Sequence, residues 1–182
     1  MSAGRRVVVT GMGLASPIGN SPDAVVAALR EGRGGISVQP HWAEYKGLYT
    51  RLAGEVKDLR FDYPRKATRT MGRVALLAVW ATERALIDAR LPLEALQGMR
   101  AGVSHGSTHG SSSSMREPLE RVLIEQTFEG MPSSAYFRFM SHTTAANLAI
   151  FLGVKGRVIT TCSACTSGSQ GIGYGYEAIK HG

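Results

Sequence analysis

Cysteine is scarce in this chain: two residues in 182, Cys162 and Cys165, lying close together near the C-terminal end. Two cysteines do not build a disulfide framework. The apolar stretch Val7-Val8-Val9 breaks off at Thr10-Gly11, which is too short for a secretory leader, so the expected setting is reducing and cytoplasmic. No apolar run reaches the length of about 18 residues that a membrane-spanning helix needs. Acidic residues are few beside basic ones, 14 against 21, and the formal net charge is +7. That asymmetry suits an anionic ligand or an acidic protein partner. The basic residues (among them Arg30, Arg33, Lys46, Arg51, Lys57 and Arg65) are scattered, and no aromatic residues alternate with them as base-stacking platforms. Nucleic-acid binding is therefore not expected. His105 and His109 stand four apart, a zinc-ligand spacing on a helix, but glycine and serine around them predict a loop with no third ligand nearby, so no metal site is expected.

What is present begins with composition. A hydrophobic content of 43% with 19% charged residues is that of a folded globular chain, and 182 residues suit one domain over residues 1–182. The most informative stretch is Arg157-Val158-Ile159-Thr160-Thr161-Cys162-Ser163-Ala164-Cys165-Thr166-Ser167-Gly168. Four β-branched residues in a row predict a buried strand. Small residues follow, and then Ile172, Tyr176 and Ile179 predict a helix over 166–180. Cys165 therefore falls on a tight strand-to-helix turn, where the unpaired amides of a first helical turn are gathered.

A free thiol has a pKa of roughly 8.5 and is only a few per cent thiolate at neutral pH. A helix N-terminus supplies about 0.3–1 kcal/mol, or ~2 kcal/mol when partly buried, against ~1.4 kcal/mol per pKa unit. The dipole alone thus moves the thiol by about one unit, and stronger activation needs a partner such as histidine. The same amides suit a carbonyl oxygen gaining charge, as in an oxyanion hole. Two other readings fit the residues: a Cys162/Cys165 redox dithiol of the C-x-x-C kind, and simple packing of small side chains. Cys165, nearest the helix start, is the better nucleophile candidate.

In chain order, residues 5–10 predict a short strand running into Gly11-Met12-Gly13. The full dinucleotide fingerprint is missing, because Ser16-Pro17 occupies its third glycine and no helix starts there. Those glycines are expected to let backbones approach, and no cofactor site is expected. A helix is placed from Ser21, with Pro22 first and Gly32 closing it. Residues 32–64 predict a long, turn-rich surface excursion packed by aromatics, with one strand at 51–56 and a surface-exposed His41. Residues 69–90 form the strongest predicted helix, apolar enough to sit between layers and ended by Pro92. A short strand is placed at 100–104, and 105–114 as a flexible gate or substrate-facing loop. A helix follows at 117–128, with Pro118 just inside its start and Gly130 and Pro132 ending it. Another covers 143–152, capped by Gly153 and entered at His142, whose expected role is capping or packing. The glycines at 168, 171, 173 and 175 weaken the last helix unless it is buried against other backbone. Alternating strands and helices indicate an α/β layered fold.

Arg6-Val7-Val8-Val9-Thr10-Gly11-Met12-Gly13, Ser16-Pro17-Ile18-Gly19-Asn20, Gly34-Gly35-Ile36-Ser37, Arg69-Thr70-Met71 and Ser163-Ala164-Cys165-Thr166-Ser167-Gly168 together carry a resemblance. In order and spacing the chain resembles the N-terminal half of a type II β-ketoacyl–acyl carrier protein synthase of the condensing-enzyme group. The resemblance implies a thiolase-like layered fold, with a mixed sheet carrying helices on both faces, and makes Cys165 the acylated nucleophile with its own N–H as an oxyanion donor. It implies acyl and malonyl thioesters as substrates, carried on the phosphopantetheine of an acidic acyl carrier protein, with no bound cofactor and no metal. It also implies a homodimer or heterodimer in which residues 107–140 line an acyl tunnel, and a role in fatty-acid, polyketide or polyene synthesis. Such synthases carry two histidines and a lysine in a C-terminal half, which these residues do not include. His105, His109, His142 and His181 do not stand in those motifs, so the 182 residues alone are expected to lack condensing activity. The alternatives are a redox module using Cys162 and Cys165 and a non-catalytic partner subunit. A cysteine retained at 165 argues against the second.

Overall fold

The computed structural model describes residues 5–182. In chain order its elements are α1 (Pro22–Arg30), β1 (Ile36–Val38), β2 (Leu52–Gly54), α2 (Arg65–Thr68), α3 (Arg73–Asp88), β3 (Val103–Gly106), α4 (Ser112–Leu123), α5 (Ala135–Phe139), α6 (Thr143–Leu152), β4 (Val158–Thr161) and α7 (Ser167–His181). The β-branched run forms β4, which pairs in parallel with β3 from Val103 opposite Val158 to Gly106 opposite Thr161. Helix α7 covers one face of this pair and α6 the other, with α3 packed outside α6. Parallel strands need cover on both faces. Strand β3 is buried or half-buried throughout, but β4, expected as a buried strand, is buried only at Thr161, with Val158 44% exposed and Thr160 exposed. The core lies on the α6 side, where Val79, Val103, Ala145, Leu148 and Leu152 pack together and Val79 is fully buried.

This is the expected α/β layering with helices on both faces. Among the described residues, however, the strands form two separate two-stranded sheets, β3–β4 parallel and β1–β2 antiparallel, and not one mixed sheet. Residues 5–10, expected as a strand, have no ladder partner among the described residues, and Val8 and Val9 are 69% and 81% exposed. A strand exists only when another backbone completes its hydrogen bonds, which no local pattern supplies. The turn that follows is as expected: a Cβ on Gly13 would run into the Ala81 carbonyl of α3, and the Met12 N–H donates to Asp88 Oδ2 at 2.8 Å. Helix α3, expected between layers, instead packs on α6 with only this turn crossing its other side, and Ile87 is left 72% exposed.

Several boundaries moved for identifiable reasons. Helix α3 begins at 73 and not at 69, with Gly72 at its N-cap. A Cβ there would strike the Arg138 carbonyl and Ser111, so the cap comes from elsewhere: Ser111 Oγ, 4% exposed, accepts from Val74 N–H at 2.9 Å. Helix α4 starts five residues earlier than the expected 117 and ends at Leu123. Pro118 therefore lies inside α4, nearly two turns beyond its start, and not at its opening. Strand β3 begins and ends later than expected, taking in His105 and Gly106, because its register follows β4. The strand expected at 51–56 is the shorter β2, and its partner β1 went unrecognised, as did α2 and α5. In the long excursion Tyr49 is wholly exposed, so aromatics do not pack all of it. Tyr63 does pack, donating to Glu83 Oε2 at 2.6 Å and meeting Phe151 edge-on. Helices α1 and α6 match their expected starts and stops: Ser21 Oγ accepts from Ala24 N–H, and Gly153 adopts φ +70°.

Candidate active site

Between β4 and α7 the chain turns through a 3₁₀ segment, Ala164–Thr166, with Cys165 at its centre. Ala164 has φ +48°, a left-handed conformation that alanine does not favour. Such a residue costs of order 1–3 kcal/mol and persists only where its surroundings hold it. Here they do. The Ala164 carbonyl accepts from Thr108 Oγ1 at 2.8 Å and from Ser167 Oγ at 2.7 Å. The two hydroxyls lie 2.9 Å apart, and Ser167 is 3% exposed. Ser167 Oγ also accepts from Ser163 N–H at 2.8 Å, while Thr161 Oγ1 donates to the Ser167 carbonyl at 2.7 Å. Ser163 Oγ donates to Gln170 Oε1 on the next turn of α7. Strand end, turn and helix start are thus laced by side-chain hydroxyls. A Cβ on Gly106 would strike the Ser167 carbonyl, which explains a glycine at the end of β3.

Both cysteines are free and exposed. Their surroundings differ. The Cys162 thiol donates to the Thr108 carbonyl at 3.5 Å, with Ser141 Oγ at 4.0 Å from its sulfur. Cys165 stands at the tip of the turn, ahead of the 15-residue helix α7, whose N-terminus is the favourable end for negative charge. The arrangement can present a sulfur nucleophile to solvent at the start of a helix.

The histidines do not gather at this turn. His105, on β3 opposite Thr160, has a buried Nε2 without a partner among the described residues, and burial holds its pKa below the ordinary 6.5. His109 Nε2 lies 2.9 Å from Ser112 Oγ. His142 occupies the N-cap of α6 without a side-chain capping bond, and its Nε2 is 3.4 Å from Tyr136 Oη. His41 is exposed, as expected. No cluster of metal-ligating side chains occurs among the described residues. The segment expected as a loop over 105–114 narrows to residues 107–111, since His105 belongs to β3 and Ser112 opens α4. It is tied at Thr108 to the turn and at Ser111 to α3. Beyond it, α4, α5 and their connection enclose an apolar groove of about 470 Å³, lined by residues such as Met115, Leu119, Val122, Phe128 and Phe139. Thr108 and Ser167 were not singled out by sequence. Nothing local in Thr108 reveals a partner 56 positions away.

The whole of this architecture has counterparts. Residues 4–182 match the family model for the beta-ketoacyl synthase N-terminal domain. The chain belongs to the beta-ketoacyl synthase family. Among curated members, it is 34% identical over 182 residues to 3-oxoacyl-(acyl-carrier-protein) synthase 2 of Vibrio harveyi, covering 98% of this chain and 43% of that one. It is 30% identical to 3-oxoacyl-(acyl-carrier-protein) synthase 1 of Haemophilus influenzae, covering 98% and 44%. A solved beta-ketoacyl synthase from Burkholderia phymatum superposes with a TM-score of 0.89 at 42% identity, covering 97% of this chain and 44% of that one. A type II PKS ketosynthase, solved with its acyl-carrier protein and bound to the hexaketide, superposes with a TM-score of 0.78 at 26% identity, covering 98% and 43%. The chain therefore spans less than half the length of the beta-ketoacyl synthases it matches.

Proposed function

We propose that this chain forms the nucleophile-bearing part of a decarboxylating condensing enzyme, with Cys165 as the acyl acceptor. The Cys165 thiolate attacks the carbonyl of an acyl thioester, the new C–S bond forms, and the pantetheine thiol leaves. A malonyl thioester then loses CO₂, and the resulting carbanion attacks the Cys165 thioester. That releases the thiolate and a β-ketoacyl chain two carbons longer. The Cys165 N–H would be one donor to the oxygen that gains charge at each attack.

The observation that carries this reading is an exposed, free Cys165 on a left-handed strand-to-helix turn ahead of α7. The apolar groove between α4 and α5 suits an acyl chain. The partner we assign is an acidic carrier protein presenting substrate on phosphopantetheine, in keeping with the net charge of +7. Arg65, Lys66 and Arg69 cluster at α2, are exposed, and take part in none of the ion pairs among the described residues. Families of this kind work as dimers, and we extend that assembly to this protein.

Incubating the protein with a soluble acyl thioester and mapping the adduct by peptide mass spectrometry tests the assignment. The expected product is a single acyl group on Cys165, lost completely in Cys165→Ala and retained in Cys162→Ala. Acylation of Cys162, or an intramolecular disulfide in its place, would refute it.

A further inference from the structure

We propose that Thr108 is a positioning residue for the Cys165 turn: its hydroxyl holds the Ala164 carbonyl and thereby the left-handed backbone that sets where the thiol stands. The proposal rests on Cys165 being the acylated residue and adds the element that keeps it in place. Ala164 has no side chain with which to stabilise φ +48° by itself, unlike the asparagine or aspartate that usually tolerate this region. The restraint must come from outside the residue, and it does so at its carbonyl. Ser167 Oγ reaches that oxygen at 2.7 Å from within the turn, and Thr108 Oγ1 reaches it at 2.8 Å from the β3–α4 loop. Only the second is a tertiary contact.

Thr108 also grips the other side of the turn. Its own carbonyl accepts from the Cys162 thiol at 3.5 Å, so one residue holds both Cys162 and Ala164 on either side of the turn. The same loop is anchored at Ser111 to the N-terminus of α3, which makes Thr108 a fixed post and not a free surface threonine. Because Thr108 is exposed, its hydroxyl can be removed without opening a core cavity. A small displacement of an attacking group is costly in rate even when binding is untouched.

The test uses Thr108→Val, which keeps the shape and deletes the hydroxyl, and Thr108→Ser, which keeps the hydroxyl, both in the full protein. Acylation of Cys165 by hexanoyl-N-acetylcysteamine is followed by the mass of the Cys165 peptide over a range of thioester concentrations. This separates the saturating rate from the half-saturating concentration. The expected result is a saturating rate roughly tenfold lower in Thr108→Val, an unchanged half-saturating concentration, and recovery to within about twofold in Thr108→Ser. The melting temperature and iodoacetamide labelling of Cys162 are expected to stay at the values of the unsubstituted protein. Equal saturating rates in Thr108→Val and the unsubstituted protein overturn the proposal. So does a defect that Thr108→Ser fails to rescue, or one accompanied by a matching change in melting temperature and Cys162 labelling. Failure of Cys165 to acylate in the unsubstituted protein is a different outcome, which removes the nucleophile assignment itself and this proposal with it.

Discussion

His105 occupies a strand position opposite Thr160, and its Nε2 is buried without a partner among the described residues. Burial disfavours the imidazolium and lowers the pKa of His105 in the folded protein, while the unfolded chain takes up its proton near 6.5. Between those two values the unfolded state binds more protons, so stability from this residue is complete above the unfolded pKa. It declines as pH falls through that value toward the folded one. The melting temperature is therefore expected to fall between about pH 7 and pH 5, with a shallower fall in His105→Leu. Parallel curves for the two proteins, measured by scanning calorimetry, would contradict this. The contrast with Cys165 is instructive. A thiol's place on a turn could be inferred from its neighbours in sequence, but a histidine's burial could not. Gly106 and His109 around His105 resemble loop residues, and only the pairing with β4 draws His105 into a strand.

Among the elements, those with local signals were legible and those with distant ones were not. Helix α6 has an apolar run and a glycine stop at 153, both contained in ten or so neighbouring residues, and its bounds agree with the reading. Helix α3 needs Ser111, 37 positions beyond the amide it caps, so its start was misplaced by a turn. The importance of that cap is measurable. Ser111→Ala leaves the half-buried Val74 N–H without its acceptor, at an expected cost of about 1 kcal/mol and up to ~2 kcal/mol. Urea unfolding should report this as a lower midpoint with an unchanged slope. A loss well below 0.5 kcal/mol would mean that water replaces the hydroxyl. The early start of α4 has a related origin, since Pro118 suggests a helix N-terminus by local rule but is carried inside a helix packed against α5.

For the whole molecule, the excess of base over acid is the property with the longest reach. With a net charge of +7 and exposed Arg65, Lys66 and Arg69 at α2, the association with an acidic carrier protein proposed above is expected to be steered electrostatically. The association rate should fall several-fold as ionic strength rises from about 0.05 M to about 0.5 M, because the screening length contracts well below the size of the contact. Stopped-flow measurement with the carrier protein checks this, and a salt-independent rate would exclude basic steering. No helix among the described residues is long and apolar enough to cross a membrane.

Local signals were enough for the α/β alternation, the helices that carry their own caps, and the placing of Cys165 between a β-branched strand and a helix. These follow from periodicity and capping, which act over one or two turns of chain. Long-range packing settled which backbones pair, that residues 5–10 find no ladder partner among the described residues, and that β3 extends through His105 and Gly106. It also decided that Ala164 is left-handed under the hold of Thr108. Strand pairing and a strained turn both depend on groups far away in sequence, whose approach is bound up with folding the rest of the chain.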